Sequence, residues 1–405
     1  MKRWGIGLAV ASGVAGLALQ SVAMAVPAST QAAPQTRSTQ AEQTRSTQAE
    51  RARSTQAEQA RSTQAARVRS TQAALRWTTT AVNRTPAALS DVDSKAGVTW
   101  AVGADHVVDF QDQRPLAMRW DGKKWTAVAQ PVRTNAQLIS VAIGNAKNVW
   151  AVGEDRVDER TSRPLVMHWN GTKWQVVKPP AVSTGTFDDV VVSKDGAVWT
   201  TGWANVGGAE RAVVYRYAGG KWQLLGDGLE GAINGNVLTV LSANDAWVGL
   251  NAGLAHFDGK RWTLVADVPT DGSQIPTGFA TIGPKNIWMV GVDHVARELP
   301  LAVHYDGKKW TKVAVPAGWA QLYGVTLRNG RPVAVGERFE ESGQTILARP
   351  LVLEYNGTKF VQAPAPAPKQ GTLTAAAAAP DRTWAVGLTP SSVTTDYAAF
   401  AAYTR

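Results

Sequence analysis

From Trp77 onward, short apolar runs are cut at close intervals by Gly, Asp-Gly or Asn-Gly. Such runs, closed by such turns, predict short antiparallel strands. The pattern repeats. An aromatic followed by small and apolar residues reads Trp100-Ala-Val-Gly, Trp150-Ala-Val-Gly, Trp199-Thr-Thr-Gly, Trp247-Val-Gly, Trp288-Met-Val-Gly, Val333-Ala-Val-Gly and Trp384-Ala-Val-Gly, at intervals of 41–51 residues. A second landmark is an aromatic, a two-residue turn and another aromatic. It reads Trp120-Asp-Gly-Lys-Lys-Trp125, Trp169-Asn-Gly-Thr-Lys-Trp174, Tyr217-Ala-Gly-Gly-Lys-Trp222, Phe257-Asp-Gly-Lys-Arg-Trp262, Tyr305-Asp-Gly-Lys-Lys-Trp310 and Tyr355-Asn-Gly-Thr-Lys-Phe360.

Each unit parses into four strands, a to d. In the second unit these are Leu138–Ile143, Val149–Val152, Leu165–Trp169 and Trp174–Val177. Asp-Gly and Asn-Gly between c and d are strong hairpin signals, because both turn positions tolerate positive φ. Four antiparallel strands per repeat of this length predict an all-β, seven-bladed β-propeller. Only six c–d hairpins are complete. The last unit stops after strand c, and Leu75–Val82 reads as a strand d with no hairpin before it. The ring is therefore expected to close by pairing residues 75–82 with 396–404, and Trp77 to be buried in the last blade. An open solenoid would instead leave unpaired edges at both ends.

The N-terminal part has another character. Lys2 and Arg3, the apolar stretch after Ile6, and Ala23-Met24-Ala25 predict a secretory signal, residues 1–25, cleaved after Ala25. Residues 26–74 contain Arg-Ser-Thr-Gln-Ala beginning at Arg37, Arg45, Arg53, Arg61 and Arg69. Without large apolar side chains this stretch cannot offset its ordering entropy, and a disordered spacer is expected. The propeller is assigned to 75–405. The expected protein is secreted, monomeric and without a transmembrane anchor.

Composition narrows the chemistry. With no Cys there are no disulfides, thiolate nucleophiles or Cys-based zinc sites. The net charge of +10 is concentrated outside the repeats: the signal carries two Lys/Arg and residues 26–76 carry eight Arg against three Glu, which leaves 32 basic and 29 acidic residues beyond. No basic run appears there, so nucleic acid is not expected as a partner.

In a propeller the a–b and c–d turns share one face and the b–c and d–a loops the other. The former are short and uniform here. The latter vary, as in Glu154–Arg163, Gly226–Asn236 and Glu337–Arg349. Variable loops on a rigid scaffold are the usual place for binding. Trp203, placed in a b–c loop, and Trp319, in a d–a loop, break the repeat register and are candidate stacking platforms. Asp105, Asp155, Asp293 and Glu337 are candidate polar contacts on the same face. These acids are spread over several blades without a calcium-loop spacing, and Arg114, Arg163 and Arg349 stand ready to pair with them, so neither metal nor cofactor is expected. Asp91 and Asp189 fall in strand a, next to the central channel; channel carboxylates serve acid–base chemistry or simply remain hydrated. No catalytic residue is assigned.

The motifs Trp-Ala-Val-Gly and Pro-Leu-x-x-His/Arg-Trp-Asp/Asn-Gly-x-x-Trp resemble the repeats of secreted actinobacterial β-propellers, loosely grouped with kelch and galactose-oxidase-like propellers. The resemblance implies fold more than function. The copper chemistry of the oxidases does not carry over, since it needs a Cys. Sialidase Asp-boxes are not matched either: Ser193-Lys-Asp195-Gly lacks the residue between Asp and Gly. The expected function is an extracellular, non-enzymatic module that binds a glycan or protein. The alternatives are a glycan-acting hydrolase or lyase and a structural cell-surface or spore-coat protein.

Overall fold

The computed structural model describes residues 75–405, apart from 107–111, 133–134, 159–160, 252, 270–273, 295–297, 367 and 391–395. The expected signal and spacer lie outside the described residues. Every regular element described is a strand, and the strands form seven antiparallel sheets of four. The chain is a seven-bladed β-propeller. Blade 1 comprises strands a (Ala87–Lys95), b (Val98–Asp105), c (Arg114–Trp120) and d (Trp125–Ala127). Blades 2 to 6 follow in order with the same a-b-c-d pairing.

The Trp-Ala-Val-Gly motif has two separate physical causes. Its glycine lets strand b approach strand a. A Cβ at Gly103, Gly153, Gly202, Gly291, Gly336 or Gly387 would stand only 2.0–2.2 Å from a strand-a carbonyl oxygen. Next to this approach strand a carries a β-bulge in every blade, at Ser90, Ile139, Asp188, Asn236, Thr277, Tyr323 and Thr374. The bulge re-aims the residues that follow it. The aromatic of the motif packs between blades. Trp100 of blade 1 lies 5.1 Å from both Trp169 and Trp174 of blade 2. Trp384 of blade 7 lies 5.0 and 5.1 Å from Trp120 and Trp125 of blade 1. Strand b of one blade thus supplies a knob, and the c–d hairpin of the next supplies an aromatic socket.

The ring closes as expected. Blade 7 takes strands a (Thr372–Ala379), b (Arg382–Pro390) and c (Tyr397–Thr404) from the C-terminal end and strand d (Trp77–Thr80) from the N-terminal end, with Trp77 opposite Thr404. Leu75 and Val82, flanking strand d, are buried. Trp77 departs from expectation, being only half-buried. Its register makes it the socket residue of blade 7, but the knob facing it from blade 6 is Val333 rather than Trp. The smaller knob leaves the indole partly uncovered, and its Nε1 donates to Pro364 O at 2.8 Å.

Candidate functional site

Two regions gather polar chemistry: the channel wall and the face formed by the b–c and d–a connections.

In the channel, the residue after the bulge is Asp91 in blade 1, Ser140 in blade 2 and Asp189 in blade 3. Asp91 Oδ2 accepts Val141 N–H of blade 2 at 2.9 Å, and Asp189 Oδ2 accepts Leu238 N–H of blade 4 at 2.7 Å. Ser140 Oγ joins them, lying 3.0 Å from Asp91 Oδ2 and 2.8 Å from Asp189 Oδ1. The remaining Oδ1 atoms accept their own neighbours' amides, Val92 N–H and Val190 N–H. One turn further along, Asp93 Oδ2 accepts Ile143 N–H at 2.7 Å. These side chains staple each strand a to the next. Blades 5 to 7 differ. Gly278, Gly324 and Ala375 hold the matching positions, and a Cβ at Gly278 would meet Val325 N at 3.1 Å. There the backbones themselves come together.

A cavity of about 370 Å³ opens off this wall and is lined by Asp91, Asp93, Ser140 and Asp189 on one side and by Phe279, Val325 and Ala376 on the other. Enclosure pushes Asp91 up to about 7, with the neighbouring Asp189 charge adding to it, and Asp189 up to about 6. Asp188, which the strand pattern does not single out, is likewise raised to about 7 by burial, with Glu154 and Asp189 adding repulsion. It escaped because a bulge breaks the period of two, turning consecutive residues inward.

On the variable face several expectations are corrected. Trp203 is not in a loop. It lies inside strand b of blade 3 (Val198–Val206), half-buried, because Gly207 and Gly208, both at positive φ, make a tight two-residue turn just beyond it. Glu337 and Asp293 are buried rather than presented to solvent. Glu337 accepts Tyr323 O–H at 2.6 Å and, from blade 7, Thr372 O–H at 2.5 Å. Glu154 in blade 2 makes the same kind of clasp, accepting from Gln137 and from Thr186 of blade 3. Both acids follow the motif glycine, so they face the next blade by register. Asp293 has Lys312 Nζ at 3.4 Å. Asp105 pairs with Arg84 at 3.5 Å. Asp155 is exposed on blade 2; desolvation raises its pKa and Arg163 opposes the rise. The pairs expected for the three Arg-Pro-Leu arginines are found for Arg114 with Asp112 and Arg349 with Glu340.

Trp319 is in its d–a loop. Its Nε1 donates to Glu298 Oε2 at 2.7 Å, its ring lies 4.8 Å from that of Phe339, and its carbonyl accepts Phe339 N–H at 2.9 Å. Phe339 belongs to a hairpin where the variable pattern of Glu337–Arg349 predicts a loop. Strands b (Arg331–Ser342) and c (Thr345–Tyr355) of blade 6 run 12 and 11 residues, against 6 and 5 in blade 4. The excess forms a hairpin standing off the face, turned at Gly343 with φ 62°. Pairing places Phe339, Ala348, Glu341 and Ile346 on one side of it and Arg338, Arg349, Glu340 and Leu347 on the other. Glu340 bonds both Arg338 and Arg349, and Arg349 also donates to Lys369 O. The first side keeps Ile346 exposed beside the half-buried Phe339. Of the expected binding residues, the structure thus places Trp319 where blade 5 meets blade 6 and Glu337 where blade 6 meets blade 7, and leaves Asp105 and Asp155 on blades 1 and 2.

No protein-family model matches the chain, and no curated protein matches it. Among solved structures it is similar to one described as YCF48 bound to D1 peptide, at TM-score 0.54 and 14% identity over 81% of this chain and 96% of that one. It is also similar to the WD40 β-propeller domain of Doa1, at TM-score 0.54 and 11% identity over 81% of this chain and 97% of that one. At such identities the likeness shows the fold. Among the described residues no helix is long and apolar enough to cross a membrane.

Proposed function

We propose that this chain is an exported, monomeric, non-enzymatic binding module. Its ligand, a protein segment or a glycan, is engaged on the variable face at the blade 6 hairpin and Trp319. The observation that carries this reading is the braced hairpin. One side is held by the Arg338–Glu340–Arg349 ion pairs, while the other offers Phe339 and Ile346 next to a tied-down Trp319. A rigid, partly exposed aromatic and aliphatic strip on a polar surface is the composition of a binding anchor. The peptide named with the YCF48 structure agrees with a peptide ligand. By its repeat motifs we place the chain nearest the kelch and galactose-oxidase-like propellers, behind a cleaved leader (1–25) and an unstructured spacer (26–74).

The hydrolase or lyase alternative draws on Asp91 and Asp189. Their oxygens are occupied by backbone amides and Ser140, an arrangement that serves the joining of blades better than proton transfer to a substrate. The structural-protein alternative has no particular residue in its favour.

The test uses a glycan array and the proteins exported by the source organism. A ligand retained by the wild type should bind Ile346→Asp at least about tenfold more weakly, while Val176→Asp on the outer edge of blade 2 binds as before. Trp319→Ala should weaken binding and lower stability by about 1–2 kcal/mol, since it loses one charge-assisted hydrogen bond and one ring contact. Equal ligand binding by wild type and Ile346→Asp would sink the assignment of this face.

A further inference from the structure

The propeller assembles on its other face a feature invisible along the chain. The residue just before the strand-d aromatic is Lys124, Lys173, Lys221, Arg261, Lys309 and Lys359 in blades 1 to 6. All are exposed, and among the described residues none is seen within ion-pair distance of a carboxylate, although Lys124 and Lys309 lie near Asp121 and Asp306. In blade 7 the strand-d aromatic is Trp77, so by register the equivalent residue is Arg76, also exposed. The ring therefore carries one exposed cation per blade, all the way round.

Turn chemistry does not account for this. The turn residues vary among Asp-Gly, Asn-Gly and Gly-Gly, yet the basic residue remains. Arg76 has no turn before it, because strands c and d of blade 7 come from opposite ends of the described chain. Protection of the outer strand edge would accept either sign of charge, and no Asp or Glu occupies any of these positions. The acids that are present only partly offset the cations; Asp195 and Asp381, in a–b turns of the same face, are taken up by Arg216 and Arg382. Asp121, Asp258 and Asp306 hold the turn amides, and blades 2, 3 and 6 have Asn170, Ala218 and Asn356 in their place. Each c–d turn is left with one uncompensated positive charge. More cations come from the neighbouring a–b turns: the stems of Lys147 and Lys285 lie against the turn glycines Gly171 and Gly307, which fixes them on the same face. The absence of a basic run had argued against a polyanion surface. The ring overturns that argument, because cations spaced by whole repeats become neighbours only when the blades close.

We infer that this face binds a linear anionic polysaccharide along the ring of c–d turns. The cations are mostly Lys, compact point charges suited to carboxylate or phosphodiester groups without bidentate recognition. Aromatic residues at this end are buried or half-buried and give no open platform for stacking bases, which disfavours single-stranded nucleic acid. Contacts on successive blades make the binding multivalent, so affinity rises with polymer length.

The probe is alginate, short and long fragments, titrated at low salt against the mature protein. Long fragments should bind, short ones much more weakly, with affinity falling as salt rises. The combined Lys124→Gln, Lys173→Gln, Lys309→Gln, Lys359→Gln variant should lose roughly ten- to hundredfold in affinity, with an unchanged unfolding midpoint. The same four positions changed to Arg should keep binding. Arg37→Gln, Arg45→Gln, Arg53→Gln, Arg61→Gln, which alters net charge equally, should also keep it. The inference fails if wild type does not bind, if both neutralised variants lose equally, or if duplex DNA or anionic vesicles bind more tightly than alginate. None of these outcomes depends on the ligand of the opposite face.

Discussion

Removal of residues 75–82 should lower stability by at least about 5 kcal/mol, the combined effect of withdrawing two buried aliphatic side chains. The segment buries Leu75 and Val82 and pairs four residues of strand d with strand c of blade 7. Thr80 Oγ1 also accepts Trp125 Nε1–H from blade 1, at 3.0 Å, so the strand is bonded to both sides of the seam. Without it, strand c of blade 7 becomes an open edge, and edges invite association. A loss of this size is a large part of the 5–15 kcal/mol that holds typical domains. Deleting residues 397–405 opens the same ring from the other side and should cost no less, since Phe400, Ala401 and Ala402 are buried. Leu75→Ala should cost about 2–4 kcal/mol, and Trp77→Ala less, because Trp77 is half-covered. Denaturant unfolding of the mature chain reads all of these. An unchanged midpoint after deletion of 75–82 would mean that the closing strand carries no load.

The second large effect is a rise in stability on mild acidification. Asp91, Asp188 and Asp189 have pKa values raised in the folded protein above an ordinary 3.8, to about 7, 7 and 6. A folded state that binds protons more tightly than the unfolded one is favoured where those protons are bound. The contribution is complete below about pH 4 and disappears as pH rises through 6 to 7. A three-unit rise at one site corresponds to roughly 4 kcal/mol, and screening reduces it, so about 2–4 kcal/mol is expected between pH 5 and pH 8. His168 and His304 work in the opposite sense, their pKa values being lowered by burial. Asp91→Asn with Asp189→Asn keeps those histidines and Asp188 and should reduce the acid stabilisation, Asp188 retaining part of it. A wild-type unfolding midpoint that falls from pH 8 to pH 5 would contradict the assignment.

Much of this architecture can be read in the residues, because a repeat states its fold many times. The blade count, the seam and the place of Asp91 and Asp189 in strand a follow from the spacing of Trp-Ala-Val-Gly and Asp-Gly; their bonds to the next blade's amides, in place of the expected hydration or acid–base role, do not. The predicted strand Leu138–Ile143 is found as Ala136–Asn145, the same element with longer ends. What was not legible depends on neighbours in space. The cover over Trp77 is set by Val333, more than 250 residues away. Trp203 looked like a loop residue because a strand through it became plausible only once Gly207-Gly208 was recognised as the turn. Phe339 and Ile346 sat in a polar stretch whose alternation marks a hairpin only in retrospect. The cation ring needed closure of the circle to exist at all.

The channel wall also constrains how such a ring can change over generations. Near-identical repeats invite unequal recombination, which would shuffle, drop or add blades. Here the blades are not interchangeable. Asp91, Ser140 and Asp189 reach across a gap to the amide of the following blade. Where Gly278 meets Gly324 there is no such gap, and even a methyl would need neighbouring backbone to move. A blade bearing the aspartate cannot take the place of one bearing the glycine without a matching change next door. The order of the seven units is therefore written into the channel, and selection acts on adjacent pairs rather than on single repeats.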